Sequence, residues 1–485
     1  MRKQALEGPQ VHKQTITNQA YIRQQFGSND DLIVRDFAIG KVKASVIGIQ
    51  GLISRRELSD EVLAPLMHYQ GPVTTDTIAN TLSSVSVTQT QSLPQVAQKL
   101  AERNAVLFVD GVRTAFLVDV SAMEQRSVTE PANETVVRGP HSGFVENLVT
   151  NISLVRRYVN NPQLRVEFIT VGQKTRVKLA LTYLEGTADA RLVADARRRL
   201  QDIRLDGILG DGFVEQFVED APYSFFPTVR HTERPDTVAG NLLEGRVAIF
   251  ADGSGTVLIV PHLFIDNFQN TEDYHSRPYY SSFMRIIRFI GFLLSTQFPA
   301  LYISVEDFHK ELLPSPLLIS MAGAREGVPF TLTLEIVLML FAFELIKEAG
   351  LRMPRPISSS LSIVAGLILG QAAVDSGFVS ITTVIVAAVT GLSSFLVSPI
   401  IEGAVLVRFL LLIPASVAGL YGLILADLVL TVHLVSLKSF EVPYLAPVAP
   451  SYFKGWKDVF IRVRITKLRS ASRQVHHNIG KYLED

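Results

Sequence analysis

The sequence predicts a duplicated α+β domain of water-soluble character, followed by an α-helical domain that crosses a membrane several times. Residues 1–285 alternate polar and apolar segments as soluble proteins do, whereas the chain between Phe289 and Leu437 is a series of long apolar stretches. Within the first part, one order of strands and helices occurs twice, which indicates an internal duplication. The overall composition hides this division, because a mean of 19% charged residues averages a polar part with an apolar part.

The first copy begins with LIVRDFAIG and KASVIGIQGL, whose β-branched residues and terminal glycines are typical of strands. Ser54 then caps a helical stretch, SRRELSDEVLAPLMHY. The segment AVLFVDGVRTAFLVDV predicts a β-hairpin that turns at Asp110 and Gly111. We assign residues 28–140 to this α+β subdomain, and residues 1–27 to a polar N-terminal tail.

The second copy, residues 141–285, repeats this order. LRVEFITV and RVKLALTYLEG predict strands, ADARLVADARRRL a helix, and RVAIFADGSGTVLIVP a hairpin at Asp252 and Gly253. Asp110 and Asp252 lie about 140 residues apart, an offset close to a common domain size. The polar, turn-rich segment QRSVTEPANETVVRGPHSGF suits a connection between the two copies.

Residues 286–437 contain the apolar stretches. A transmembrane helix needs about 20 apolar residues, because lipid offers the backbone no hydrogen-bond partners. Four segments approach or meet this length: Phe289–Val305, Phe330–Ile346, Ile357–Val374 and Phe378–Ile401. Ala404–Leu437 is too long for one straight span, and Pro414, Gly419 and Gly422 predict that it folds into a tight helical pair. The prediction is about six spans, with four spans and an interfacial helix as the alternative.

Basic residues predict the orientation of these spans. Arg285 and Arg288 precede the first span, and Lys347 and Arg352 follow the second, so both places should be cytosolic. The basic C-terminal tail, residues 438–485, belongs on the same side. Both termini are therefore expected in the cytosol, which requires an even number of crossings. The polar N-terminus carries no signal peptide, so the first span is expected to direct insertion.

Several classes of function are disfavoured. The net charge is zero, so no basic field favours nucleic acid, and the absence of cysteine excludes disulfides, thiolate metal sites and a cysteine nucleophile. None of the patterns GxxxxGK[ST], GxSxG, HExxH or GxGxxG is present. His231, Glu233 and Asp236 lie in a polar loop, which favours a solvated turn over a metal site. We therefore predict neither an enzyme nor a protein with a cofactor or metal.

Small residues form a stripe along one predicted span. Ser358, Ser362, Gly366 and Gly370 recur every four residues and so share one helix face. One interpretation is close helix packing, which small residues permit. The other is that this face lines a pore in an oligomer, since small and hydroxylated residues leave room for water. The sequence leaves both open.

Charged residues inside the apolar segments are the second candidate. Such charges are expensive and usually face protein or water. Glu335 lies within the second span, while Arg408 and Asp427 lie in the long last segment, where they could pair across the helical hairpin. Glu344 and Lys347 lie one turn apart and are expected to pair or to reach the interface.

Six segments of the chain are distinctive: TEPANETVVRGPHSGFVENLVTNISLVRR, ILGDGFVEQFVEDAPYSFFPTVRHTERPDTVAGNLLEGRVAIFADG, ISMAGAREGVPF, EAGLRMPRP, LGQAAVDSGFVS and LKSFEVPYLAPVAP. Through them the chain resembles, from about Phe26 to Pro450, the A subunits of the GerA family of nutrient germination receptors from endospore-forming bacteria. Segments of this length and order are highly specific.

The resemblance implies a multi-pass subunit of a germinant receptor in the spore inner membrane. It implies partners, namely a transporter-like B subunit that binds the nutrient and a lipoprotein C subunit, and a homo-oligomer, proposed to be a pentamer, that forms a ligand-gated cation channel. The alternatives are a membrane subunit that transmits a signal or acts as a scaffold without conducting ions, and a secondary transporter. Inverted repeats in the membrane part, usual for transporters, are not apparent.

Overall fold

The computed structural model describes residues 8–27, 29–82, 86–120, 130–131, 133–352, 370–451 and 455–464. The described chain divides into two compact units. The first contains the residues up to Asp220 together with Val229–Pro261, and the second contains Ala221–Thr228 together with the residues from His262 onward.

Two five-stranded antiparallel sheets form the centre of the first unit. The order of the first sheet is β1-β2-β4-β5-β3 and that of the second is β6-β7-β9-β10-β8, so the two sheets have the same connectivity. The strands are β1 Leu32–Ile39, β2 Val42–Ile49, β3 Val87–Thr90, β4 Asn104–Val109, β5 Ala115–Asp119, β6 Leu164–Val171, β7 Val177–Leu184, β8 Arg230–Thr232, β9 Val247–Ala251 and β10 Val257–Val260.

Helices cover both faces of the first sheet. Along β4, Ala105 and Leu107 belong to one apolar core, whereas Val106 and Phe108 belong to another, because successive side chains of a strand point to opposite faces. The helices of this unit are α1 Thr15–Phe26, α2 Arg55–Glu57, α3 Ala64–His68, α4 Thr75–Thr81, α5 Leu93–Ala101, α6 Leu148–Tyr158, α7 Ala190–Gln201, α8 Asp211–Val218 and α9 Pro235–Leu243, and a π-helical turn, Leu58–Leu63, joins α2 to α3.

The segment predicted as a polar N-terminal tail contains α1, which packs on the first sheet. Ile22 and Phe26 are fully buried there, because they lie four residues apart and share one face of the helix. The Asp110 carboxylate accepts a 2.7 Å hydrogen bond from the backbone N–H of Thr15 at the start of α1. The boundary of the first subdomain therefore lies before this helix.

Equivalent contacts in the two copies agree with the predicted duplication. Asp252 in the second hairpin accepts a hydrogen bond from the backbone N–H of Leu148 at the start of α6, as Asp110 does at α1. The Asn18 amide bonds both backbone groups of His12, and the Asn151 amide bonds both backbone groups of Val145. Each copy thus places its Asp-Gly hairpin against the start of its own helix.

A buried ion pair joins the two copies. The Arg156 guanidinium donates to both Asp31 carboxylate oxygens, at 2.8 and 3.1 Å, and both side chains are about 2% exposed or less. Next to it, the Asn29 side chain bonds Leu164 and Val166 of β6. Burial raises the pKa of the Asp31 carboxyl, and Arg156 opposes that rise.

A second polar group lies between β6, β7 and α7. The Arg197 guanidinium donates two 2.7 Å hydrogen bonds to the Glu167 carboxylate, and the Tyr183 hydroxyl donates a third at 2.6 Å. Burial alone would raise the pKa of Glu167, but these three bonds stabilise its anion and lower the pKa below its ordinary value. Burial and the bond to Glu167 raise the pKa of Tyr183 to about 12.

The second unit is mainly helical. Its elements are α10 Glu272–His275, α11 Pro278–Ile303, α12 Ser315–Ala324, α13 Leu332–Arg352, α14 Ile381–Ser394, α15 Ile401–Ser436, the strands β11 Lys438–Ser439 and β12 Val442–Pro443, a π-helical turn at Ser304–Phe308, and 3-10 segments at Phe264–Phe268, Lys310–Leu312, Phe395–Ile400 and Gly455–Asp458. Among the described residues, two helical stretches are long and apolar enough to cross a membrane, namely Pro278–Phe308 and Ile381–Ser436.

These stretches start and end differently from the predicted spans. The first begins at Pro278, before the predicted start at Phe289, because the more polar N-terminal part of α11 and its apolar part form one continuous helix. The predicted segments Phe378–Ile401 and Ala404–Leu437 lie in the second stretch except for their outermost residues, 378–380 and 437. Most of the predicted span Ile357–Val374 lies outside the described residues.

Candidate functional site

Helix α15 folds back on itself near its middle. Ala418 and Gly419 leave the helical conformation, and Gly419 adopts a positive φ of 59°, which favours glycine. A Cβ added at Gly422 would lie 2.1 Å from the carbonyl oxygen of Pro414. In a straight helix these residues would be about 12 Å apart along the axis. The helical pair expected from Pro414, Gly419 and Gly422 is therefore present.

Both ends of α15 reach the same loop, residues 224–226. A Cβ added at Gly403 would lie 2.0 Å from the Phe225 carbonyl oxygen, so the helix start packs directly on that backbone. At the other end, the His433 imidazole Nε2 lies 3.0 Å from the Ser224 hydroxyl oxygen. Each arm of the hairpin is about 25 Å long. This length is comparable with the thickness of the hydrocarbon core of a bilayer, which is about 30 Å.

Arg408 and Asp427 do not pair with each other. The fully buried Arg408 donates to the Ser295 carbonyl oxygen of α11 at 2.6 Å and to the Glu344 carboxylate of α13 at 3.1 Å. Asp427 accepts a 2.7 Å hydrogen bond from the Gln297 side chain of α11. The pairing considered from sequence is therefore wrong, because a residue on another helix approaches each charge more closely than the facing arm does.

The expected pair Glu344 and Lys347 is present, with 2.5 Å between the Lys347 Nζ and a Glu344 carboxylate oxygen. The Glu344 carboxylate thus contacts two cations, since its other oxygen accepts from Arg408. This carboxylate connects α13 with the first arm of α15.

Glu335 is fully buried in a polar cluster between α11, α13 and α14. One carboxylate oxygen lies 3.3 Å from the Arg325 guanidinium, and the other accepts from the Ser380 backbone N–H at 3.0 Å and from the Thr383 hydroxyl at 3.1 Å. Arg325 also lies 3.4 Å from Glu306. A partly exposed carboxylate, Asp307, lies 3.7 Å from the same guanidinium.

We call Arg325, Glu306, Asp307 and Glu335 the acidic cluster. It holds three carboxylates and one guanidinium, all in the second unit. Sequence reasoning found only Glu335. Arg325 stands in the family segment ISMAGAREGVPF, and the signal in the sequence that could identify it is a charge within an otherwise apolar segment.

The small-residue stripe is described only at Gly370, because Ser358, Ser362 and Gly366 lie outside the described residues. A Cβ at Gly370 would lie 3.6 Å from the Val384 side chain of α14, an ordinary contact distance. Val384 follows Thr383, which donates to Glu335. The described end of the stripe therefore meets α14 next to the acidic cluster.

Ion pairs also join the start of α11 to the segment after Pro450. The buried Arg285 guanidinium lies 3.0 Å from Asp273 and 2.9 Å from Asp458, and Arg288 lies 2.9 Å from Asp273. The Asp458 carboxylate also accepts a 2.7 Å hydrogen bond from the Tyr274 hydroxyl. The sequence predicts the orientation of the first span from Arg285 and Arg288, and the structure shows that both arginines also form ion pairs.

Comparison with known proteins gives a consistent result. The family model described as Bacillus/Clostridium GerA spore germination protein matches residues 20–474. Spore germination protein KA of Bacillus subtilis (strain 168) is 41% identical over 456 residues, which cover 92% of this chain and 84% of that protein. The uncharacterized membrane protein YfkQ of the same organism is 37% identical, covering 89% of this chain and 85% of that one.

A solved structure also matches, the crystal structure of the N-terminal domain of the A subunit of the Bacillus megaterium spore germinant receptor GerK3. The identity is 30% and the TM-score 0.40, and the match covers 53% of this chain and 97% of that one.

Proposed function

Because the chain belongs to the GerA family of spore germination proteins, we propose that it is the membrane-embedded A subunit of a nutrient germination receptor and forms a gated cation channel as a homo-oligomer. The observation that supports conduction is the acidic cluster. Three carboxylates against one guanidinium leave an excess of negative charge, and acidic groups inside a membrane protein attract cations. On this proposal the protein acts as a receptor component and not as an enzyme.

Membrane embedding is supported by the outward faces of the helices. Large apolar side chains more than half exposed lie along α13, α14 and α15, among them Phe341, Leu392, Ile413, Val429 and Val432. Such a surface would be costly in water and is favourable in lipid. Together with the two long apolar stretches, it supports a multi-pass protein in the spore inner membrane.

The topology we propose has an even number of crossings, six in all, with both termini in the cytosol. The contact of Asp458 with Arg285 supports it, because it holds the segment after Pro450 beside the start of the first apolar helix. The return of α15 to the loop 224–226 supports counting its two arms as a pair of crossings.

The proposed assembly is a pentamer that works beside a transporter-like B subunit, which binds the nutrient, and a lipoprotein C subunit. A ring of identical subunits turns one polar-sided helix into the lining of a central pore. We place the stripe Ser358, Ser362, Gly366 and Gly370 on that lining. Nutrient binding elsewhere would open the pore only if it favoured one packing of the helices over another.

Purification from membranes, mass determination and single-channel recording test oligomer and conduction together. We expect a closed oligomer with cation currents, and smaller cation selectivity for Glu335→Gln. The matched control is Glu348→Gln, since Glu348 is exposed and, within the described residues, forms an ion pair only with Arg352 one turn away. An oligomer of normal mass that carries no current under nutrient, with its partner subunits present, would favour the alternative, a subunit that transmits the signal without conducting.

Introduced cysteines test the pore lining, because the natural chain has none. Thiol reagents should reach positions 362, 366 and 370 from the aqueous side. Gly370→Ala should be tolerated, since its Cβ has room at 3.6 Å from Val384, whereas Gly370→Leu should block current or fix one state. If no stripe position reacts with or without nutrient, another helix lines the path.

A further inference from the structure

The first unit contains a cavity of about 560 Å³ where its two copies meet. The first copy contributes the turn from Gln50 to Arg56 and Arg103, the second residue after α5. The second copy contributes the start and one face of α6, from Asn147 to Arg157. This volume lies within the range of sites for small molecules, which is about 300–1,000 Å³.

The charge of this cavity is one-sided. Arg55, Arg56, Arg103 and Arg157 line it, and none of the described residues in its wall is an aspartate or a glutamate. In the described part of the chain, the only ion pair of these arginines is the exposed 3.7 Å contact of Arg56 with Asp60. Two other partly buried arginines of the unit do have carboxylate partners, Arg197 in Glu167 and Arg199 in Asp195 and Asp220.

Two of the guanidinium groups, those of Arg103 and Arg157, also repel each other electrostatically. Burial and the charge of Arg103 both lower the pKa of Arg157. Arg103 has a positive φ of 75°, a conformation that is unfavourable for a side chain with a Cβ. Like charges held together without a counterion are a cost that a bound anion would remove.

The cavity has other features that suit an anion. Asn147 and Thr150, at the start of α6, add polar side chains to its wall. The Ser54 hydroxyl accepts from the Glu57 backbone N–H and so retains its own O–H as a donor. Gly51, at φ 82°, packs against Val149 so closely that an added Cβ would lie 2.8 Å away, which holds the arginine-bearing turn against α6.

We propose that this cavity binds a small molecule bearing a phosphate group, held by Arg103 and Arg157 with Arg55 and Arg56 at the rim. Guanidinium groups bind phosphate oxygens through paired N–H donors. Four arginines therefore match a phosphate group, which carries more than one negative charge, better than they match a monoanion. The same chemistry is offered by a soluble phosphate compound and by an anionic lipid headgroup. The site joins the two copies, so its ligand would stabilise their contact.

The test uses the full-length protein in nanodiscs of phosphatidylcholine, with pyrophosphate as the probe in calorimetric titration. Arg103→Gln with Arg157→Gln should weaken binding by about tenfold or more, since each charge-assisted hydrogen bond is worth about 1.5–3 kcal/mol. The matched control is Arg35→Gln with Arg113→Gln, because both arginines are exposed on the same unit outside the cavity. Equal binding by the two double variants, or no binding by the natural protein, would overturn the proposal.

A second variant covers a loss of folding in the first. Arg55 is exposed at the rim, so Arg55→Glu should leave the fold unchanged and still weaken pyrophosphate binding by charge repulsion. Unchanged affinity in that variant also contradicts the site. Repeating the titration in nanodiscs of phosphatidylglycerol identifies the source: a weakened pyrophosphate signal assigns the site to the lipid headgroup, and an unchanged one assigns it to a soluble compound. None of these readouts depends on ion conduction.

Discussion

Replacing Arg408 by Met should destabilise the membrane unit by about 3 kcal/mol. Met approximates the volume of Arg, so the loss comes mainly from the two hydrogen bonds to Ser295 and Glu344 and from the carboxylate left behind. Breaking a buried pair costs about 3–5 kcal/mol. We expect the lower end, because Glu344 keeps its contact with Lys347 and is 18% exposed.

The measurement is the free energy of unfolding of the purified protein in mixed micelles. Adding Glu344→Gln to Arg408→Met should recover about 1 kcal/mol or more, since contacting pairs show coupling of about 0.5–3 kcal/mol. Adding Asp427→Asn instead should give additive losses, because Asp427 bonds Gln297 and not Arg408. Recovery with Asp427→Asn and none with Glu344→Gln would refute the assigned pairs.

Three further predictions concern other parts of the chain. The pKa of Glu167 is lower in the folded state than its unfolded value of 4.5. The ionised carboxylate therefore stabilises the fold fully above pH 4.5, and this contribution is lost as the pH falls through the folded-state pKa. Glu167→Gln should accordingly flatten the acid side of a stability-versus-pH curve measured by thermal unfolding. Gly422→Ala should destabilise the hairpin by about 1–3 kcal/mol in micelle unfolding, whereas Gly323→Ala, whose Cβ meets no atom within 4 Å, should not. Cysteines at the exposed positions Tyr279 and Ile461 should react with an impermeant thiol reagent from the same side of the membrane.

Each has an outcome that would contradict it. A pH profile of Glu167→Gln identical to that of the natural protein would mean that the bonds from Arg197 and Tyr183 do not stabilise the anion. Equal effects of the two glycine substitutions would argue against the close approach of Gly422 to Pro414. Labelling of Tyr279→Cys and Ile461→Cys from opposite sides would exclude an even number of crossings.

The hairpins were predictable from sequence because their signals are local. Asp110-Gly111 and Asp252-Gly253 supply the positive φ that a tight turn needs, and both glycines have it, at 86° and 85°. Helix α1 was not predicted, since TITNQAYIRQQF has few apolar residues. Its position depends on burying Ile22 and Phe26 and on the bond from Thr15 to Asp110, which is 95 residues away in the chain.

The charged residues of the membrane unit were predictable as candidates, but their partners were not. A charge in an apolar segment is visible in the sequence, and Glu335, Arg408 and Asp427 are all bonded in the structure. The partners come from other helices, as Glu344 does for Arg408 across 64 residues. Closeness in sequence suggested only a partner on the facing arm of the hairpin, whereas the packing of the helices brings residues from α11 and α13 nearer.

If the protein gates as proposed above, these pairings influence which helices can move. Separating α13 from α15 would take Arg408 away from its carboxylate partner in a medium of low dielectric, which is expensive. Glu344 already holds Lys347 of its own helix, so its carboxylate stays paired when Arg408 leaves. Arg325 likewise contacts both Glu306 and Glu335, and it can keep one when it loses the other. Shared ions of this kind lower the cost of exchanging one helix packing for another, and we expect helix motions during gating to occur at these two places.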